Sequence, residues 1–149
     1  MLTNQDFKDL LSAFNENDVE FLVVGAHALA AHGFVRATKD LDVWVKPDAA
    51  NADRVMQALS SFGSPTHQIA AADFAAPGVT FQIGIDPVRV DIITAIDGVE
   101  FEAAWRNRVG GEYGGIHVFV LSKSDLIANK QASGRPQDIA DIAALQNLS

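Results

Sequence analysis

Asp40 and Asp42 stand one residue apart in the run Lys39-Asp40-Leu41-Asp42-Val43-Trp44-Val45. Residues two apart on a strand point to the same face, so this spacing presents two carboxylates side by side. A third acid, Asp91, interrupts the apolar segment Val88 to Ile96, where Arg89, Asp91 and Ile93 share one face and Val88, Val90 and Ile92 the other. An acid within a core-like strand calls for a partner. A salt bridge to Arg89 or Arg36 is the plainer, less favoured explanation of such an acid. If the two strands are neighbours, three carboxylates converge, and such a cluster is stable mainly when cations fill it. Mg²⁺, which prefers oxygen ligands, is the expected occupant.

Upstream lies Gly25-Ala26-His27-Ala28, where an apolar run ends in a glycine and a short helix begins. Backbone N–H groups at a helix start favour phosphate oxygens. Carboxylates beside such a turn suit phosphoryl chemistry, in which two metals activate a hydroxyl and stabilise leaving pyrophosphate.

The elements that must position these groups follow from the hydrophobic pattern. Thr3 caps a first helix whose buried face is Phe7, Leu10, Leu11 and Phe14. Val19 to Val24 reads as a buried strand, His27 to His32 as a short helix stopped by Gly33, and Leu41 to Val45 as a second strand. Asp48 caps a helix reaching about Phe62, with Ala52, Val55, Met56 and Leu59 inward. Residues 63–78 read as loop. Val79 to Ile85 and Val88 to Ile96 form a hairpin around Asp86-Pro87. Glu100 to Arg108 is a short helix, and the glycines from 110 to 115 flank a turn into the strand Ile116 to Val120. Ser122-Lys123-Ser124-Asp125 opens a helix to Ala132 as a capping box, and Pro136 starts the last helix. The reading is one α/β domain over residues 1–149, a small mixed sheet flanked by helices.

The chain has 149 residues, 48% of them hydrophobic, a formal net charge of −8 and no cysteine. The length suits a single core, and the absence of cysteine excludes disulfides and thiolate chemistry and fits a cytoplasmic location. No apolar run approaches a membrane span, and the first residues lack the pattern of a signal peptide. The acidic balance weighs against an extended nucleic-acid surface.

Gly25-Ala26, Asp40-Leu41-Asp42 and Asp91, in that order and spacing, resemble the signature of the nucleotidyltransferase superfamily with a polymerase-β-like core. The longer run through Gly33 and Arg36-Ala37-Thr38 is similar to aminoglycoside nucleotidyltransferases and to the nucleotidyltransferase toxins of type IV toxin–antitoxin systems. Asp125-Leu126-Ile127-Ala128-Asn129-Lys130, followed by Gly134-Arg135-Pro136-Gln137-Asp138 and Asp141, extends the likeness to the toxin branch and the small uncharacterised proteins around it.

The resemblance implies a nucleotidyltransferase that moves a nucleoside monophosphate from a nucleoside triphosphate to an acceptor hydroxyl on an RNA end, a protein or a small molecule. It implies a two-metal site of Mg²⁺, or Mn²⁺, on Asp40, Asp42 and Asp91. Asp91 would also help deprotonate the acceptor. Gly25 and Ala26 would lie against the triphosphate, and Arg36, Lys39 and Lys130 would neutralise its charge. Ala26 departs from the Gly or Ser usual there and offers only its backbone N–H. That motivates a second reading, a weak or inactive nucleotidyltransferase fold serving as a nucleotide-binding or toxin–antitoxin regulatory partner. With little room for a separate acceptor-binding domain, a homodimer or partner protein is expected to complete the site.

Plainer readings stand beside these. Lys130 and Arg135 have carboxylate partners within reach in Asp125, Asp138 and Asp141. His27 and His32 suit packing or capping, and Trp44 and Trp105 suit the core.

Overall fold

The computed structural model describes residues 3–35, 39–64, 66, 69–85 and 88–147. Its centre is a six-stranded mixed sheet of β1 (Phe21–Val24), β2 (Asp40–Val45), β3 (Thr80–Ile85), β4 (Val88–Ile93), β5 (Val109–Tyr113) and β6 (Ile116–Val120), in the order β3-β4-β2-β1-β6-β5. β2 runs parallel to β4 and antiparallel to β1, while β1 runs parallel to β6. Among the described residues seven helices accompany it: α1 (Asn4–Glu16), α2 (Gly25–Ala31), α3 (Ala49–Phe62), α4 (Ala71–Ala75), α5 (Phe101–Arg106), α6 (Lys123–Ser133) and α7 (Pro136–Gln146). This is the mixed α/β architecture expected.

Local chemistry accounts for the helix starts. Thr3 and Asp6 exchange the two hydrogen bonds of a capping box, and the Asp48 carboxylate accepts the Asn51 N–H. Ser122 caps α6 by accepting the Asp125 N–H, but the expected reciprocal bond is missing, because Asp125 Oδ2 is buried without a partner among the described residues. β1 is buried on both faces, whereas β2 and β4 bury one face, with Leu41, Val43, Val45, Val90 and Ile92 in the core, and carry their charged residues on the other.

Two expectations need correction. Within the segment read as loop, Ala71–Ala75 forms a helix that plants buried Phe74 against Phe81. One buried aromatic in a single turn leaves no periodicity to detect. The glycine pairs do not both flank a turn: Gly110-Gly111 lies inside a strand, β5, that the pattern does not predict, while Gly114 and Gly115 form the reversal itself with positive φ. Arg36 and the Asp86-Pro87 turn lie outside the described residues.

Buried Asn51 fastens the far ends of β1 and β2 to α3. Its Oδ1 accepts the Glu20 N–H at 2.8 Å, and its Nδ2 donates to the Glu20 and Lys46 carbonyls at 3.0 Å each. Beyond β4, a tight turn pairs Ile96 with Val99 and presses Gly98 on α6, where a Cβ would come within 2.6 Å of Ala132 Cβ. Asn129 of α6 donates to the Asp97 carbonyl at 2.9 Å from the other side. These two contacts set α6 against the end of the sheet that carries the acids.

Candidate functional site

Strand register brings the acids together. Asp42 lies opposite Asp91, and Asp40 opposite Arg89, across the parallel β2–β4 pair. Parallel pairing keeps the two alternations in phase, so Asp40, Asp42, Arg89 and Asp91 emerge on one face. The Arg89 guanidinium lies between the acids, with Nε 3.0 Å from Asp91 Oδ1 and Nη2 3.6 Å from Asp40 Oδ2. Asp42 and Asp91 are within hydrogen-bonding reach of each other.

The electrostatics follow from this crowding. Burial, then the charges of Asp91 and Asp40, push the Asp42 carboxyl up to about 6, with Arg89 pulling the other way. Arg89→Gln should therefore raise the Asp42 midpoint further, as read by carboxyl-carbon NMR titration.

Gly25 has a specific task here. Its φ is +69°, and a Cβ would overlap the Asp42 carboxylate at Oδ2. The glycine thus makes room for the acid on the adjacent strand, where Val24 pairs with Asp42. Gly25→Ala carries both the left-handed strain and this clash, so we expect it to displace the Asp42 side chain and cost about 1–3 kcal/mol. A chemical melt together with a shifted Asp42 titration checks this.

Asp40 and Asp42 open on a cleft of about 420 Å³ lined also by Gly25, Ala26, Asn129, Lys130, Arg135, Gln137 and Asp138, while Asp91 lies behind Asp42 and does not line it. Lys39 is exposed and does not line it, and Arg36 lies outside the described residues. Lys130 does line it, yet its buried ammonium is held by Asp141 Oδ2 at 2.9 Å and Asp138 Oδ1 at 3.3 Å. Burial alone would raise the Asp138 carboxyl, but hydrogen bonds from Ser133, Arg135 and Lys130 hold it down at about 2. Among the described residues, no group of three or more His, Asp or Glu side chains is gathered in metal-holding geometry. The convergence expected of three acids takes the form of a cross-strand pair, Asp42 opposite Asp91, with Asp40 alongside and Arg89 bridging Asp40 and Asp91.

His27 and His32 are packing residues. His27 packs edge-on against Phe7 and Tyr113 and bonds the Asp40 backbone, its pKa lowered by burial, and His32 Nε2 lies 2.8 Å from the Leu121 carbonyl.

The model of a family described as nucleotidyltransferases of unknown function, DUF6036, matches residues 4–148. The chain belongs to that family. Comparison with the curated proteins finds no sequence match. Among solved structures, the chain resembles the lincomycin-bound lincosamide antibiotic adenylyltransferase LnuA, with a TM-score of 0.62, 15% identity and 99% of each chain covered. It also resembles the candidate nucleotidyltransferase TM1012 of Thermotoga maritima, with a TM-score of 0.58, 16% identity, and 94% of this chain and 88% of that one covered. An antigenic nucleotidyltransferase-like protein of Paracoccidioides brasiliensis aligns at a TM-score of 0.52 and 16% identity, over 97% of this chain and 76% of that one. At these identities the likeness is one of fold.

Membership agrees with the resemblance read from the Gly25, Asp40-Leu41-Asp42 and Asp91 pattern. Sequence reasoning missed Asn129 and Gln137 as cleft residues and the bridging place of Arg89, which it had weighed only as a partner of Asp91. The alternation that puts Arg89 and Asp91 on one face was the available signal for the last.

Proposed function

We propose that the protein transfers a nucleoside monophosphate from a nucleoside triphosphate to an acceptor hydroxyl, using Mg²⁺ held by Asp42 and Asp91 with Asp40 assisting. The observation that carries this is the strand register that sets Asp42 directly opposite Asp91, two half-buried carboxylates on one sheet face, with Asp42 opening on the cleft. Their hard oxygen donors fit Mg²⁺, which is commonly held by one or two protein carboxylates and completes its shell with water and substrate phosphates. When bound, the metal would neutralise the phosphates and stabilise the leaving pyrophosphate.

The chain's own residues do the rest. Gly25 and Ala26 border the space for the phosphates, and Asn129 and Gln137 offer neutral donors across it. The acceptor oxygen attacks the α-phosphorus, the bond to pyrophosphate breaks, and pyrophosphate leaves with the electron pair. Asp91, oriented by the Arg89 Nε–H, accepts the acceptor's proton and passes it to water. A small molecule is the favoured acceptor, since a net charge of −8 repels nucleic acid and the fold is shared with an enzyme bound to lincomycin. A cytoplasmic setting supplies the triphosphate. No helix among the described residues is long and apolar enough to cross a membrane.

The test is incubation with each labelled nucleoside triphosphate, Mg²⁺ and a cell lysate, beside Asp42→Asn. Label transfer that disappears in the variant is expected. No transfer, joined to no metal-dependent triphosphate binding by calorimetry, would overturn the reading.

A further inference from the structure

Strand β2 carries the site face onward past the acids. Asp40, Asp42 and Trp44 alternate onto the same face, and Trp44 lies roughly 6–7 Å beyond Asp42 along the strand. There a second cavity of about 430 Å³ opens, within the range of small-molecule sites. Its apolar wall is Trp44, Val99 and Phe101, with the Phe101 ring edge-on to the indole at 5.1 Å. Ile96, paired with Val99 across the tight turn, faces the acid cleft instead, so one turn separates the two spaces.

Two features give this cavity a chemistry. Trp44 is 2% exposed, and its Nε1–H is buried with no hydrogen-bond partner among the described residues. A buried indole N–H normally has an acceptor. The rim carries Asp48, Glu100 and Glu102 against one cation, Lys46, whose ammonium is already shared by Glu20 at 3.4 Å, Asp48 at 3.4 Å and Glu102 at 3.2 Å. The site is therefore apolar and aromatic inside, offers one unsatisfied donor, and is negative at its mouth.

We propose that this cavity is the acceptor subsite and takes a small hydroxylated amine with an apolar ring. The ring packs against the exposed side of the Trp44–Phe101 pair, an oxygen accepts the Trp44 N–H, and the ammonium meets the Glu100 and Glu102 rim. The acceptor role rests on nucleotidyl transfer at Asp42 and Asp91; the ligand class does not. In the transfer step the ligand's hydroxyl oxygen bonds the α-phosphorus, pyrophosphate departs with the electron pair, and the hydroxyl proton goes to Asp91.

Three probes of one shape separate the claims: phenylethanolamine, phenylethanol and mandelate, which are cationic, neutral and anionic. The readout is the Trp44 indole N–H peak in a proton–nitrogen correlation spectrum, assigned with Trp44→Phe. Phenylethanolamine should shift it most and mandelate least. Glu100→Gln with Glu102→Gln should weaken the amine response several-fold, and Asp42→Asn should leave it intact. Ala95→Trp, which fills the cavity from its exposed side, should lose both the shift and lysate labelling while keeping Mg²⁺-dependent triphosphate binding. A Trp44 peak unmoved by all three probes, or moved most by mandelate, overturns the ligand class. Labelling by Ala95→Trp equal to wild type overturns the acceptor role. Labelling that survives Asp42→Asn sinks the transfer reading instead, with the probe shifts standing.

Discussion

Asp42→Asn should abolish nucleotidyl transfer and at the same time make the ligand-free protein more stable. The first effect follows from losing a metal ligand beside the reacting phosphate, a loss of about a thousand-fold or more in rate if the several kcal/mol of charge stabilisation disappear. The second follows from Asp42's pKa, raised in the folded protein from 3.8 to about 6 by burial and by its acidic neighbours. A group that binds its proton more tightly when folded penalises folding once it is ionised. That penalty is absent below pH 3.8, grows as pH rises toward 6, and is complete above it. The amide, isosteric and uncharged, escapes it and can still donate to Asp91. After allowance for solvent screening, we expect about 1–2 kcal/mol of added stability at pH 7.5 and a rise of a few degrees in Tm. Melts at pH 4 and pH 7.5 check the sign, since the two proteins should coincide in acid and separate at neutral pH. Mg²⁺ should raise the wild-type Tm and leave the variant's unchanged. A variant less stable than wild type at pH 7.5 would show that Arg89 already compensates the cluster.

Much of this site could be read from local pattern, because its parts obey short-range rules. The spacing of Asp40 and Asp42 determines that they share a face, and the same parity joins Arg89 to Asp91. What parity leaves open is register. That Asp42 faces Asp91 rather than Arg89 depends on how two strands separated by some forty residues of chain align, which is decided by helix packing between them. Gly25 illustrates the same limit. The sequence marks a glycine at the end of a strand, but the atom it must avoid belongs to Asp42 on the neighbouring strand. Asn51 leaves no trace at all, being a polar residue on a helix whose three partners are backbone groups of two other elements. The α4 turn, a single buried Phe74 among alanines, was invisible for the opposite reason: it has too little pattern.

Lys130 poses the sharpest choice between local and tertiary logic, and Lys130→Met should decide it. As a cation lining the cleft beside Gly25, it invites assignment to the triphosphate. Its ammonium is nevertheless 2.9 Å from Asp141 and 3.3 Å from Asp138, two carboxylates more deeply buried than itself. Removing the lysine leaves those acids without their shared buried cation, and breaking such a pair costs about 3–5 kcal/mol. For a domain of this size that is a fall of about 10 °C or more in Tm. The gap should close in acid. Asp138 is held at about 2 in the folded protein against 3.8 in the unfolded chain, so its contribution is present above pH 3.8 and lost as pH falls through 2. Lys130→Met combined with Asp141→Leu should recover much of the loss, because an apolar replacement of a buried pair is often neutral. A Lys130→Met protein that melts like wild type yet binds triphosphate weakly would reverse the assignment. In that case Asp138 and Asp141 would be adequately served by Ser133, Arg135 and Gln137, which already donate to them, and the lysine would be free to turn toward phosphate.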